Sequence, residues 1–185
     1  EIFYSFFEGS RPGNGHLVLA RMEKRGLLKS VITQNIDNLH QEAGNRVVRE
    51  FHGNSKQLVC LTCGRTYPVS EFDLNFIPPR CRYDNTVLKP DFVFFGEGIP
   101  EAAYENSVHD AEKATVCLVI GSTGEVVPAA YIPRIAKQHG ATIIEVNPER
   151  SSFTGEITDI YLKGRAGEVL PQLEEQLNAD PDQAG

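Results

Sequence analysis

Three sets of residues have the types and spacing to do chemistry: a histidine beside a glycine, three short polar clusters, and three cysteines with an aspartate. His52 lies in Arg49-Glu50-Phe51-His52-Gly53, at the expected end of a short strand, where the glycine leaves room for a ligand. Imidazole exchanges a proton near neutrality, so His52 suits a general base acting on a hydroxyl. The competing reading is a hydrogen-bonded structural histidine, and it covers His16, His40, His109 and His139 unopposed.

The polar clusters are Gln34-Asn35-Ile36-Asp37, Gly121-Ser122-Thr123-Gly124 and Asn147-Pro148-Glu149, each following a short apolar run. In an open parallel sheet, ligands bind beyond the carboxyl ends of strands. Glycines and hydroxyls there allow close backbone approach to phosphate or ribose, and Asn147 and Glu149 suit ribose hydroxyls. Ordinary turns share this composition, so one cluster alone decides little; three together point to a nucleotide. No G-x-G-x-x-G or Walker-type glycine loop occurs in the chain.

Cys60-x-x-Cys63, Cys81 and Asp84 resemble a zinc ribbon with a carboxylate in the fourth place. A degenerate ribbon without metal and a three-cysteine site completed by another group are the alternatives, and structural zinc is favoured. Cys117, inside the apolar run 115–121, reads as a small buried hydrophobe with no chemistry.

Elements must hold these clusters in place. Leu17, Leu19, Met22 and Leu27 recur near helical spacing after the Pro12-Gly13-Asn14-Gly15 turn, predicting a helix that ends near Gly26. Ser30–Thr33 predicts a strand, and a short helix follows from Leu39 to Gly44. Strand 115–120, helix 129–139, strand 141–146 and helix 167–177 continue the alternation, which predicts a parallel sheet with helices on both faces. Residues 60–89 lack helical periodicity and form a small inserted module. The polar stretch from Asn178 reads as a disordered tail. The first residues, Glu1 to Phe7, are apolar and aromatic without a cap, so the chain is expected to begin inside an element.

Composition narrows the partners. Of 185 residues, 41% are hydrophobic and 23% charged, which fits a globular chain with one substantial core. The formal net charge is −7 and no basic cluster exists to track phosphates, which argues against direct nucleic-acid binding. An acidic balance suits a lysine-bearing substrate but also serves solubility alone. With no bilayer-length apolar run and no signal-peptide pattern, a cytoplasmic monomer without membrane contact is expected.

Read in order, the motifs resemble those of sirtuins. Ile32-Thr33-Gln34-Asn35-Ile36-Asp37-Asn38-Leu39-His40 is similar to the family's T-Q-N-x-D-x-L-H signature. Phe51-His52-Gly53, the C-x-x-C, Lys89-Pro90-Asp91-Phe92-Val93-Phe94-Phe95-Gly96-Glu97, Ile144-Glu145-Val146-Asn147 and Lys163-Gly164-Arg165-Ala166 follow in the family's sequence order. The resemblance runs from about Pro12 to Leu173. It implies a Rossmann-like NAD-binding domain over 30–55 and 90–178, incomplete at its N-terminus, and a zinc-ribbon insertion over 56–89. A helical segment over 1–29 leads in from the small domain, and 179–185 forms the tail.

The resemblance implies an NAD-dependent protein-lysine deacylase, a deacetylase foremost, in which NAD is a consumed co-substrate and zinc is structural. The substrate's acyl oxygen attacks the nicotinamide ribose carbon, nicotinamide leaves, and an alkylimidate results. His52 then deprotonates a ribose hydroxyl, and water yields free lysine and O-acyl-ADP-ribose. By carry-over, Asn35 and Asp37 join His52 in catalysis. Gln34, Asn35, Ile36, Asp37, Gly121, Ser122, Thr123, Asn147, Pro148, Glu149 and Ala166 contact NAD. The backbone near Val93, Phe95, Gly96 and Glu97, opposite Glu125 and Val126, pairs with an acyl-lysine peptide as an added strand.

Three departures from the family's pattern stand out. Its G-A-G-x-S loop and P-D-F-R segment do not occur in this chain, which puts catalysis by this stretch alone in doubt. Ser122-Thr123 inverts the usual Thr-Ser order, and Asp84 occupies a cysteine position. Phe3, near the place of an arginine found in desuccinylase-like members, points toward acetyl over acidic acyl groups. The alternatives are a sirtuin-like NAD hydrolase or ADP-ribosyltransferase, and a non-catalytic zinc- and nucleotide-binding module.

Overall fold

In a computed structural model of the chain, residues 10–73, 78–94 and 96–179 are described. Helix α1 (Asn14–Lys24) leads into strand β1 (Val31–Thr33), the short helix α2 (Leu39–Ala43) and strand β2 (Val48–Glu50). Strands β3 (Gly53–Val59), β4 (Thr66–Pro68) and β5 (Lys89–Phe92) follow, with a 3-10 turn at Val69–Glu71. Helix α3 (Glu101–Lys113), strand β6 (Val116–Ile120), helix α4 (Tyr131–Gln138), strands β7 (Thr142–Asn147) and β8 (Ile160–Lys163), and helix α5 (Ala166–Ala179) complete the order.

The parallel sheet expected from the alternation is present in two pieces. β1 pairs parallel with β2, Val31 opposite Val48, while β6, β7 and β8 form a second parallel sheet in that order. Between β1 and β6 runs a cleft of about 770 Å³, lined along both strands. Among the described residues no strand bridges the two edges. The alternation fixes direction and crossover, but it does not dictate which strands become neighbours.

Apolar faces set the packing. Val18, Leu19 and Met22 of α1 pack with Val146 and Leu170, and Arg21 is paired with Glu174 of α5. A larger core of Phe51, Val119, Ile132, Ile143 and Phe153 lies under α3 and α4. Each such side chain, fully buried, contributes about 1.5–3 kcal/mol. Helix α3 went unread in the sequence because only Ser107 and Ala111 of its thirteen residues are buried, too few for an apolar period. An Arg49–Asp110 ion pair at 3.0 Å ties it to β2.

The inserted module is an antiparallel sheet of order β4-β3-β5, closed by a small core of Leu58, Cys60, Cys81 and Leu88. Helix α5 runs to Ala179 and so takes in the first two residues of the polar stretch from Asn178 expected as a tail. Residues 180–185 lie outside the described residues, as does Phe3. No helix among the described residues is long and apolar enough to cross a membrane.

Candidate active site and metal centre

The Gln34–Asp37 tip is built by local hydrogen bonds at the end of β1. Thr33 Oγ1 accepts from Asn35 N–H at 3.0 Å, and Asp37 Oδ1 accepts from Leu39 N–H at 3.0 Å, which turns the chain into α2. Asn38 sits at φ 65°, a left-handed conformation that asparagine tolerates. Behind the tip, the Gln41 and Asn54 amides both donate to Glu50 Oε1 at 2.7 Å, and Asn54 also donates to Asn38 Oδ1 at 2.9 Å. Burial raises the Glu50 carboxyl against these donors.

His52 occupies the turn from β2 into β3, where the parallel and antiparallel sheets meet. Its Nδ1 lies 3.0 Å from the Gln34 carbonyl oxygen. A carbonyl can only accept, so this contact requires the proton on Nδ1, and in the neutral ring it leaves the lone pair on Nε2. The backbone locks this arrangement. Val93 N–H donates to His52 O and Ser55 N–H to Ile36 O, both at 2.9 Å. Gln34, Asn35, Ile36, Asp37, His52, Phe92 and Val93 together line a cavity of about 400 Å³.

Gly53 permits this meeting. At φ +76°, an added Cβ would stand 2.3 Å from Asp91 O and 2.8 Å from Phe92 Cα, both backbone atoms. Gly53→Ala is therefore expected to destabilise the fold by at least about 2 kcal/mol and to displace His52. Urea denaturation would measure the first effect, and the His52 imidazole resonances the second.

The Gly121–Gly124 tip lines the long cleft through Gly121, Ser122 and Thr123, joined by Val126 and Ala166. Gln34 and Asn35 line this cleft and the smaller cavity alike, so the two spaces meet at the β1 tip. Asn147 turns inward, its side-chain amide donating to Ser122 O at 2.9 Å and its backbone carbonyl accepting from Tyr161 Oη–H at 3.0 Å. Pro148 and Glu149 are exposed and line neither cavity.

Of the residues expected at a peptide site, Val93 lines the His52 cavity and Val126 the cleft. Gly96 is at φ +90°, and Glu97 accepts from Phe94 N–H at 2.9 Å and pairs with Lys89 at 3.0 Å. These two contacts lower the Glu97 carboxyl. Glu125 is exposed, and Phe95 lies outside the described residues. Of the remaining histidines, His16 Nδ1 accepts from Gly13 N–H at 3.3 Å and His139 Nδ1 faces Ile135 O at 2.9 Å, while His40 Nδ1 is buried without a hydrogen-bond partner. Burial, with His16 close by, lowers His40.

At the cysteine cluster, one ligand atom each from Cys60, Cys63, Cys81 and Asp84 lies within 4.8 Å of all the others. Two knuckles supply them, and their backbones match. Gly64 N–H donates to Cys60 O and Asn85 N–H to Cys81 O, both at 2.9 Å. Cys60 N–H donates to Arg65 O, and Cys81 N–H to Thr86 O. Each knuckle closes on a left-handed residue, Gly64 at φ 71° and Asn85 at φ 61°. Asp84 thus holds in the second knuckle the place Cys63 holds in the first. Asp84 Oδ2 is 3.3 Å from Cys60 Sγ, and Cys63 Sγ is 3.7 Å from Cys81 Sγ. Ligands about 2.3 Å from a tetrahedral zinc stand roughly 3.8 Å apart, so the donor set and spacing fit that ion. Cys117 is far from such a role: burial alone pushes its thiol up to about 11.

Comparison with known proteins gives this geometry a family. Residues 2–128 match the profile of the Sir2 family. An NAD-dependent protein deacylase 2 of Pyrobaculum aerophilum is 45% identical over 181 residues, spanning 96% of this chain and 69% of that protein. An NAD-dependent protein deacylase of Pyrococcus furiosus is 44% identical, over 91% of this chain and 69% of the relative. A Sir2 homologue solved as an ADP-ribose complex superposes with a TM-score of 0.89 at 34% identity, covering 96% of this chain and 71% of the other. Sir2Tm bound to a propionylated peptide superposes at 0.86 and 32% identity, over 93% and 73% of the two chains. With its motifs, its Rossmann-like sheet and these relatives in agreement, the chain belongs to the Sir2 family, the sirtuins.

Proposed function

We propose that this protein is an NAD-dependent protein-lysine deacylase, acting on acetyl-lysine foremost and passing the acyl group to ADP-ribose with release of nicotinamide. The observation that carries the reading is the contact of His52 Nδ1 with the Gln34 carbonyl oxygen. With Nδ1–H held by Gln34 O, the lone pair sits on Nε2 of a residue that shares its cavity with Gln34, Asn35 and Asp37.

NAD, as co-substrate, supplies the electrophilic ribose carbon and the leaving group. Gln34, Asn35, Ile36 and Asp37 hold its nicotinamide ribose end, while Gly121, Ser122, Thr123 and Ala166 hold the rest along the cleft, with Asn147, Pro148 and Glu149 beside them. His52 takes a ribose hydroxyl proton through Nε2, with Asn35 and Asp37 orienting the reactants. The acyl-lysine peptide enters beside Val93, Phe95, Gly96 and Glu97, facing Glu125 and Val126, as an added strand. Support comes from the relatives' names and from neighbours solved with ADP-ribose and acylated peptides. Cys60, Cys63, Cys81 and Asp84 hold a structural zinc outside the chemistry.

Incubation with NAD and an acetyl-lysine peptide, followed by mass spectrometry, tests this. O-acetyl-ADP-ribose and nicotinamide are expected in equal amounts. Nicotinamide released at the same rate without peptide would instead establish an NAD hydrolase.

A further inference from the structure

We propose that Glu145 is a positioning residue for the Gly121–Gly124 tip, acting through a cage of hydroxyls on the loop after β7; this rests on that tip being part of the NAD site. Glu145 lies in the middle of β7, opposite Val119 of β6 and Tyr161 of β8, and is fully buried. An acidic residue two places before a strand end in such a sheet suggests a ribose ligand. Here both of its oxygens are already engaged.

Oε1 accepts from Ser151 Oγ–H at 2.6 Å, and Oε2 accepts from the Thr154 and Thr158 hydroxyls at 2.8 Å each. A buried charge is tolerated only when its hydrogen-bonding capacity is met. Burial raises this carboxyl, and the three hydroxyls together with the Asn147 side chain more than offset it, leaving it below its ordinary value. The hydroxyls are in turn braced by the loop backbone: Phe153 N–H donates to Ser151 Oγ at 3.1 Å, and Ser151 N–H to Thr154 Oγ1 at 2.9 Å. Residues 151–158 are thus folded around one carboxylate.

That loop grips the tip. Ser152 N–H donates to Thr123 O and Ser152 Oγ–H to Gly124 O, both at 3.0 Å. Phe153 lies against Gly124, where an added Cβ would stand 2.8 Å from the ring and 2.2 Å from Ser152 Oγ. Asn147, two residues beyond Glu145 in the same strand, holds Ser122 O at 2.9 Å. Three successive carbonyls of the tip are therefore fixed by β7 and its loop. Fixing those peptide planes fixes where the tip's remaining polar groups point into the cleft.

Glu145→Gln keeps the volume but replaces one acceptor oxygen with a donor that faces hydroxyl protons. Calorimetric titration with ADP-ribose should show affinity falling about tenfold. KM for NAD should rise in step, with kcat and the peptide KM within about twofold. Ser151→Ala and Thr158→Val should move the same quantities the same way by smaller amounts, which keeps the test decisive should the glutamine variant fail to fold. Variants that melt earlier but bind ADP-ribose within twofold of wild type would overturn the proposal, leaving Glu145 a packing residue. A wild-type protein that binds ADP-ribose without forming O-acetyl-ADP-ribose would sink the deacylase reading, with Glu145 still judged by affinity. Absence of ADP-ribose binding by wild type would overturn both.

Discussion

Replacing His52 by asparagine should leave the protein folded and nearly abolish formation of O-acetyl-ADP-ribose. An asparagine amide can still donate a hydrogen bond toward Gln34 O, which is the structural part of what His52 does at 3.0 Å. It cannot accept a proton at neutral pH. Loss of a positioned general base costs about 10²- to 10⁴-fold in rate, and that loss should fall on kcat because the base acts in the transition state. The order of steps sharpens the expectation. The acyl oxygen displaces nicotinamide before any proton reaches His52, so labelled free nicotinamide should still exchange into NAD in the variant. A parallel loss of exchange and product would instead assign His52 to binding. Full activity in the asparagine variant would remove the base from the mechanism.

What the sequence disclosed here, and what it withheld, follows from the range of the interactions concerned. The Gln34–Asp37 tip is made by bonds two residues apart, from Thr33 to Asn35 and Asp37 to Leu39, and such contacts are written in the local residue types. The knuckle turns around Cys60 and Cys81 are legible for the same reason. His52 was legible as a candidate, yet its tautomer was not, since that depends on a carbonyl eighteen residues away. Asn147 shows the converse. Its place at the end of β7 suggested ribose contact, and in the structure its amide donates to Ser122 O across the sheet, 25 residues distant. Glu145 appeared in the sequence only as part of a family motif, because its three hydroxyl partners lie six to thirteen residues on and no local pattern marks them. The division of the parallel sheet at the cleft between β1 and β6 was equally hidden, as alternation says nothing about which edges pair.

The metal centre gives the second large effect. The purified protein should carry one zinc, and Asp84→Ala should weaken its retention more than the loss of a supporting hydrogen bond does, by at least about 100-fold against a competing chelator. Zinc binding is coupled to folding of the ribbon, so at limiting metal the midpoint of thermal unfolding should fall by about 5–10 °C. Asp84→Cys should do the opposite. The two knuckles already superimpose in their hydrogen bonding, Gly64 with Asn85 and Arg65 with Thr86, so a thiolate there needs no backbone change. Thiolate is the softer ligand and should slow chelator extraction below the wild-type rate. Because Asp84 Oδ1 also accepts from Thr86 N–H at 2.9 Å, Asp84→Asn separates the two roles. The asparagine can keep that turn while offering zinc no charge, and it should resemble alanine in metal retention and wild type in the apo protein's stability. Wild type purified without zinc from zinc-replete medium, with all three variants melting together, would show that the cluster is a ribbon held by its own hydrogen bonds.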